Sequence, residues 1–365
     1  MVAYKIAVLP GDGVGPEVIK EGIKALEAVS RAVKDLKFEF TYFDWGSEYY
    51  LKNGNMMPED GVDQLKGFHS IYLGAIGDPR VPDHISLHQS LLKLRNGFDQ
   101  YVNLRPIKLL EGVSCVLKDK KPEDIDFVVV RENTEGMYSG IGGRYKKGSK
   151  EHEYYSKYKK TFADSEEIVV QNGVYSSLGV ERVMRYAFDL ARKREKHLTC
   201  CTKSNALNYS MVYWDEVFRK VAKDYPDVKT DFALVDAITM WFVKNPESFD
   251  VIVADNLFGD IITDLGAMIQ GGMGIAPGGN IAPNGISMFE PIHGSAPKYA
   301  GKGIVNPIAT IWAGVMMLES LGENKAAELI MSAIKKLLKE GKVRTKDLGG
   351  KSTTSEVGSA VANLI

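Results

Sequence analysis

Short apolar runs alternate with helical patterns along most of this chain. Lys5-Ile-Ala-Val-Leu9 reads as a buried strand, followed by turn residues and a helix from about Pro16. Ile71-Tyr-Leu-Gly-Ala75, Phe127-Val-Val-Val130, Glu167-Ile-Val-Val170 and Val251-Ile-Val-Ala254 read as further strands. Near the C-terminus, Ala326, Leu329, Ile330, Ala333, Ile334, Leu337 and Leu338 keep helical spacing, and Gly341 supplies the stop. Strands alternating with helices predict an α/β protein.

Composition narrows this picture. The 365 residues are 44% apolar and 25% charged, an ordinary globular balance, and the length predicts two domains. The 46 basic and 47 acidic residues leave a net charge of -1, which argues against a general nucleic-acid binder. No window has the length and apolarity of a membrane span. Three cysteines without a framework, and no signal-like leader, predict a cytoplasmic protein. Residues 140–165 differ in being rich in Gly, Lys and Tyr. The interleaving could suit nucleic acid, but the overall charge favours an arm at a subunit contact.

Candidate chemistry lies in five places. Gly11-Asp-Gly13-Val-Gly15-Pro16 follows a strand, but Pro16 stands where a dinucleotide fingerprint needs its third glycine, so a Rossmann assignment fails. Asn256-Leu-Phe-Gly-Asp260-Ile-Ile-Thr-Asp264 sets two carboxylates one helical turn apart, an arrangement suited to Mg²⁺ or Mn²⁺. Arg95, Arg105 and Arg131 recur near apolar segments and could fork onto carboxylates. Tyr138 and Lys203 could relay protons if burial lowers their pKa values. The loop around Phe289-Glu290-Pro-Ile-His293-Gly-Ser-Ala-Pro297-Lys298-Tyr299, continuing to Asn306, is rich in backbone N–H groups that suit a phosphate or an adenosine ribose.

In this order, the five motifs resemble the β-decarboxylating dehydrogenases, the isocitrate, isopropylmalate, homoisocitrate and tartrate/D-malate enzymes. The resemblance extends from the Gly11 loop to Asp347-Leu-Gly-Gly350. It implies a two-domain fold with a shared large sheet, residues 1–98 plus 256–365 forming one domain and 99–255 the other. It also implies a homodimer with shared sites, clasped by the arm. The implied metal ligands are Asp260, Asp264 and the partner's Asp236. Arg95, Arg105 and Arg131 would grip substrate carboxylates beside Leu91 and Leu92. Tyr138 and Lys203 would move protons. Glu290, His293, Gly294, Ser295, Ala296, Lys298, Tyr299 and Asn306 would line the NAD or NADP site.

Within the family, Gln89 and Leu91 stand where isocitrate enzymes carry Ser and Asn. Leu91-Leu92 is compatible with isopropylmalate, whereas Val81-Pro-Asp-His-Ile-Ser-Leu87 and Phe98-Asp-Gln-Tyr-Val-Asn-Leu-Arg105-Pro resemble the tartrate/D-malate group. The expected reaction is therefore oxidative decarboxylation of D-malate or tartrate, with isopropylmalate as the alternative. Lys298-Tyr299 resembles NADP-using members, and Arg344 is a further candidate for the 2′-phosphate. Two readings of other classes remain: a non-catalytic regulatory subunit, which would lose catalytic positions that are all present here, and a structural metal protein, which would not need the His293 loop.

Overall fold

The computed structural model describes residues 2–365. Ten strands form one mixed sheet and two form a separate hairpin. The strands are β1 (Val2–Gly11), β2 (Leu36–Tyr42), β3 (Ser70–Ala75), β4 (Val102–Lys108), β5 (Asp126–Glu132), β6 (Gly142–Lys146), β7 (Glu167–Gln171), β8 (His197–Thr202), β9 (Lys229–Leu234), β10 (Val251–Ala254), β11 (Pro277–Ile281) and β12 (Ser287–Pro291). The sheet order is β2-β1-β3-β12-β11-β4-β5-β10-β8-β9. Its first five strands come from residues 1–98 and 256–365, and its last five from 99–255.

The pairings β12–β11, β11–β4 and β4–β5 are all antiparallel, whereas every other pair in the sheet is parallel. Three reversals make the outer halves run in opposite directions. This differs from a parallel dinucleotide-binding sheet and puts a seam at β11–β4.

Alternation along the strands separates two faces. Val251 and Val253 point into one apolar cluster that continues across both halves, under the Gly15–Ala32, Ser177–Arg192 and Ile308–Ser320 helices. Ile252 and Ala254 point the other way. On that second face the apolar residues form two clusters, one around Leu9, Leu73 and Met288, the other around Phe127, Val129 and Ile262. The gap between them holds buried polar side chains and becomes the site.

The arm differs from its expected outline. Glu167–Val170, read with the main strands, pairs instead with Gly142–Lys146, and the short helices Lys150–Ser156 and Lys160–Ala163 fill the connection. The arm therefore extends beyond 140–165. The three cysteines are free, and among the described residues no helix is long and apolar enough to cross a membrane.

The Gly11–Pro16 turn acts as a brace. Asp12 is buried and accepts hydrogen bonds from Ser47 N and Oγ at 2.7 Å and from Gly77 N at 2.8 Å. Val14 N donates to Ser295 O at 2.8 Å, and the Glu17 carboxylate accepts from Gly301 N and Gly303 N. The helix thus starts against the His293–Asn306 loop. A Cβ on Gly15 would stand 2.2 Å from Pro10 O and 2.8 Å from Ala75 N, both backbone atoms. Gly15→Ala should therefore cost about 1–3 kcal/mol in chemical denaturation, whereas Gly67→Ala, with nothing within 4 Å, should be close to neutral. Equal midpoints for the two variants would contradict this account of the turn.

Candidate active site

At the seam, the register aligns a row of side chains on the divided face. Met288 pairs with Asn280, Asn280 with Asn103, and Asn103 with Arg131. In the next row, Glu290 lies opposite Gly278, and a Cβ on Gly278 would come within 3.0 Å of Arg105 Nε. The Asn256–Ile269 helix lies over this face. Asp255 caps its start, accepting from Phe258 N at 2.8 Å and from Tyr175 Oη at 2.7 Å. Its first turns then present Asn256, Gly259 and Asp260 to Arg131.

Arg131 is only 2% exposed, and each of its three guanidinium nitrogens has a partner within the chain. Nε and Nη2 donate to Asn256 Oδ1 at 3.1 and 2.7 Å, and Nη1 pairs with Asp260 Oδ1 at 2.5 Å. The aliphatic stem crosses Gly259, where a Cβ would stand 2.5 Å from Arg131 Cγ. Arg95 and Arg105 are also buried but less satisfied. Arg95 Nη2 reaches Glu290 Oε1 at 3.5 Å while its Nε has no partner. Arg105 Nε donates to Asn103 Oδ1 at 2.6 Å, and among the described residues its terminal nitrogens have no hydrogen-bond acceptor. Burial pushes Arg95 down from its ordinary pKa. Burial, then the Arg131 charge, pushes Arg105 down to about 10, so it remains cationic near neutral pH. Buried guanidinium N–H groups without acceptors are costly unless an anion meets them.

Burial alone would raise the Asp260 carboxyl, but the Arg131 charge and the Tyr138 hydroxyl outweigh it, and the net shift is downward. Tyr138 Oη donates to Asp260 Oδ2 at 2.9 Å. Burial and that carboxylate push Tyr138 up to about 12, the reverse of the lowering expected for a proton relay. Tyr138 is thus a protonated donor at neutral pH. Asp264 forms no ion pair among the described residues, and partial burial together with Asp260 raises its carboxyl. Two carboxylates that repel one another fit a hard, oxygen-coordinated cation as two of its ligands. Among the described residues, no three His, Cys, Asp or Glu side chains of the chain gather around such a point.

Arg95, Arg105, Arg131, Tyr138, Asp260, Leu91, Leu92, Glu290 and Gly294 line one cavity of about 180 Å³. Glu290, expected beside a cofactor, lies among the arginines instead. A second groove of about 460 Å³ is lined by His293, Ala296, Tyr299 and Asn306, together with Lys346 and Asp347, which the sequence reading left without a role. Ile292 and Gly294 face the cavity while His293 faces the groove, so one short segment forms the wall between them. Burial lowers the His293 pKa and keeps the ring neutral. Ser295 is buried beneath the loop, bonded through its carbonyl to Val14, and Lys298 is exposed, so neither lines the groove. Arg344 donates to Leu338 O instead, at the end of the Asn324–Glu340 helix.

Lys203 and Asp236 line neither cavity. They pair with each other at 2.5 Å, which lowers the Asp236 pKa, and the Asp236 side chain is 61% exposed. Asn280 and Asn256 are completely buried and bonded to site residues, yet polar residues of this type carry no distinctive sequence signal. The spacing of Asn256 from Asp260 on one helix is the only hint of its place.

The mixed sheet thus carries an arginine-lined cavity and a loop-walled groove that share one segment as their common wall, and comparison with known proteins places this arrangement among the decarboxylating dehydrogenases. The chain belongs to the isocitrate/isopropylmalate dehydrogenase family, whose model matches residues 5–361. It is 48% identical to the D-malate dehydrogenase (decarboxylating) of Escherichia coli, over 100% of this chain and 99% of that protein. It is 48% identical to the tartrate dehydrogenase/decarboxylase of Pseudomonas putida, over 100% and 98%. Among solved structures, the isocitrate dehydrogenase of Methylococcus capsulatus superimposes with a TM-score of 0.84 at 34% identity, covering 99% of both chains. The β-decarboxylating dehydrogenase of Thermococcus kodakarensis gives 0.77 at 32%, covering 99% and 96%. The expected fold and family are therefore correct.

Gly259→Ala should displace the Arg131 stem while leaving the helix intact. Dehydrogenase kcat/KM should fall about 10–100-fold with little change in melting temperature. Unchanged kcat/KM would show that Arg131 tolerates the displacement.

Proposed function

We propose that this chain oxidises and decarboxylates a small 2-hydroxy diacid with a nicotinamide cofactor, D-malate or tartrate being the preferred substrates. The observation that carries this reading is the unpartnered, buried Nε of Arg95 together with the Arg105 guanidinium, which is held within the chain only at Nε, both lining one cavity beside Asp260. They need a compact polyanion, and the relatives named above act on such acids by name. The cavity of about 180 Å³ suits a small substrate. Its apolar wall of Leu87, Leu91 and Leu92 is the feature that favours 3-isopropylmalate as the second reading.

In this mechanism Arg95, Arg105 and Arg131 hold the two carboxylates and fix the C2–H bond toward the wall at Ile292–Gly294. NAD or NADP in the second groove supplies the hydride acceptor. Asp260, Asp264 and Asp236 of the partner subunit would hold Mg²⁺ or Mn²⁺, which would supply positive charge to stabilise a developing oxyanion. Lys203 of the partner subunit takes the hydroxyl proton. Loss of the C2 hydride to the nicotinamide would leave a ketone at C2; the C3–carboxylate bond then breaks, CO₂ leaves, the bonding electrons pass into an enolate, and the protonated Tyr138 phenol donates its proton to C3. The raised pKa of Tyr138 suits a donor.

The reading includes a homodimer. The Val235–Lys244 and Asn256–Ile269 helices pack together and leave Met240, Trp241, Val243, Ile261 and Met268 exposed, an apolar surface beside an incomplete acidic site. The two halves of the sheet act as two domains closing on the seam. The free thiols suit a reducing cytoplasm.

The preference for NADP rests on Lys346 rather than Lys298 or Arg344, because Lys346 lines the groove near Tyr299. Lys346→Ala should raise the KM for NADP about 10-fold and leave that for NAD within about 2-fold. A strong NAD preference in the unaltered protein would remove this assignment.

The primary test is cofactor reduction by the purified protein with Mn²⁺, using D-malate, L-tartrate, 3-isopropylmalate and isocitrate in parallel. Turnover of D-malate or tartrate with release of CO₂ is the expected result. Turnover of 3-isopropylmalate or isocitrate alone would preserve the chemistry and overturn the substrate. No turnover of any would overturn the reading.

A further inference from the structure

Asn280 lies on β11, the strand at the seam, inside Pro277-Gly-Gly-Asn280-Ile281. It is completely buried, and it bonds to both halves of the sheet. Its Oδ1 accepts from Asn103 Nδ2 at 2.8 Å and from Asn133 Nδ2 at 3.0 Å. Its Nδ2 donates to Glu290 Oε1 at 2.8 Å. This orientation is enforced chemically, since a carboxylate accepts hydrogen bonds and cannot donate them.

The bonds continue outward to two of the three arginines. Asn103 Oδ1 holds Arg105 Nε at 2.6 Å, and Glu290 Oε1 faces Arg95 Nη2 at 3.5 Å. Asn133 Nδ2 also binds Gln100 O at 2.8 Å, tying the segment before β4 to the residues after β5. Arg131 stands opposite Asn103 across the β4–β5 pair. One amide therefore sits between Glu290 of the first half and Asn103 and Asn133 of the second. A buried network of this kind is rigid when every member is satisfied and costly when one is lost.

We propose that Asn280 is a positioning residue: through Glu290 and Asn103 it sets the separation and direction of Arg95 and Arg105 across the seam, and so the recognition of the diacid. The inference rests on the functional reading given above. Asn280 lines neither cavity. Its effect on the diacid is exerted through the arginines, and the groove of the cofactor is left alone.

Asn280→Asp keeps both acceptor bonds to Asn103 and Asn133 and sets a carboxylate against Glu290. The expected result is a rise of about 10-fold in KM for the diacid, with KM for the nicotinamide cofactor within about 2-fold. The double variant Asn280→Asp with Glu290→Gln conserves net charge and reverses the direction of one hydrogen bond. It should recover at least about 3-fold of the lost KM. A purely structural residue would shift both KM values together with the melting temperature and would show no recovery. Should the aspartate variant not fold, Asn280→Ser keeps one donor and one acceptor, and a rise of about 3-fold confined to the diacid is expected. An unaltered diacid KM in whichever single variant folds, or equal shifts for diacid and cofactor, overturns the inference while the unaltered protein still turns over. Absence of turnover in the unaltered protein overturns the functional reading, and this inference with it.

Discussion

Three guanidinium groups buried in one cleft are the constraint on which the rest of this structure depends. Charge inside a protein is tolerated only when paired and hydrogen-bonded. Arg131 meets that requirement within the chain, through Asn256 and Asp260. Arg105 and Arg95 meet it only in part, through Asn103 and Glu290. The sheet face therefore cannot close over with apolar side chains at this place. Its core divides into two clusters, and the division between them is the cavity.

The opposite face has no such interruption. A single apolar cluster runs beneath both halves of the sheet and holds them in one body. This asymmetry is mechanically useful. A continuous core on one side keeps the seam together, while the polar side can admit a ligand and is lined by parts of both halves. The Asn256–Ile269 helix is where these demands meet. Its buried residues Ile262 and Ile269 join the apolar cluster, Asn256 and Asp260 secure Arg131, and Asp264 is left facing outward. This helix thus steadies one arginine of the proposed clamp and carries two of the proposed metal ligands.

Much of the fold was legible because periodicity survives in one dimension. Lys5–Leu9, the helix after Pro16, Ile71–Ala75 and the Asn324–Glu340 helix all carry their own apolar pattern. β11 does not, since Pro-Gly-Gly-Asn-Ile has the composition of a turn and becomes a strand only between β12 and β4. β9 is another edge case, largely exposed and polar. Glu167–Val170 has a genuine strand pattern, yet the pattern could not say which sheet it joins. Among site residues, the arginines, Asp260 and His293 stood out by motif. Asn280, Lys346 and the true surroundings of Glu290 did not, because single polar residues acquire meaning only from what faces them.

The sequence by itself determined the α/β class, the acidic pair one helical turn apart, the charged clamp and the resemblance to one enzyme family. Each depends on residue type and on spacing along the chain, which are local properties. Only the tertiary structure decided that every guanidinium nitrogen of Arg131 has a partner in the chain while Arg105 is held at Nε, that Tyr138 is pushed upward in pKa, and that Glu290 faces the arginines. It also decided that Lys203 and Asp236 stay outside both cavities of their own chain. These are properties of distance and burial between residues far apart in sequence. Electrostatic energies change with each ångström of separation and each degree of desolvation, and neither is encoded in the spacing of letters along a chain.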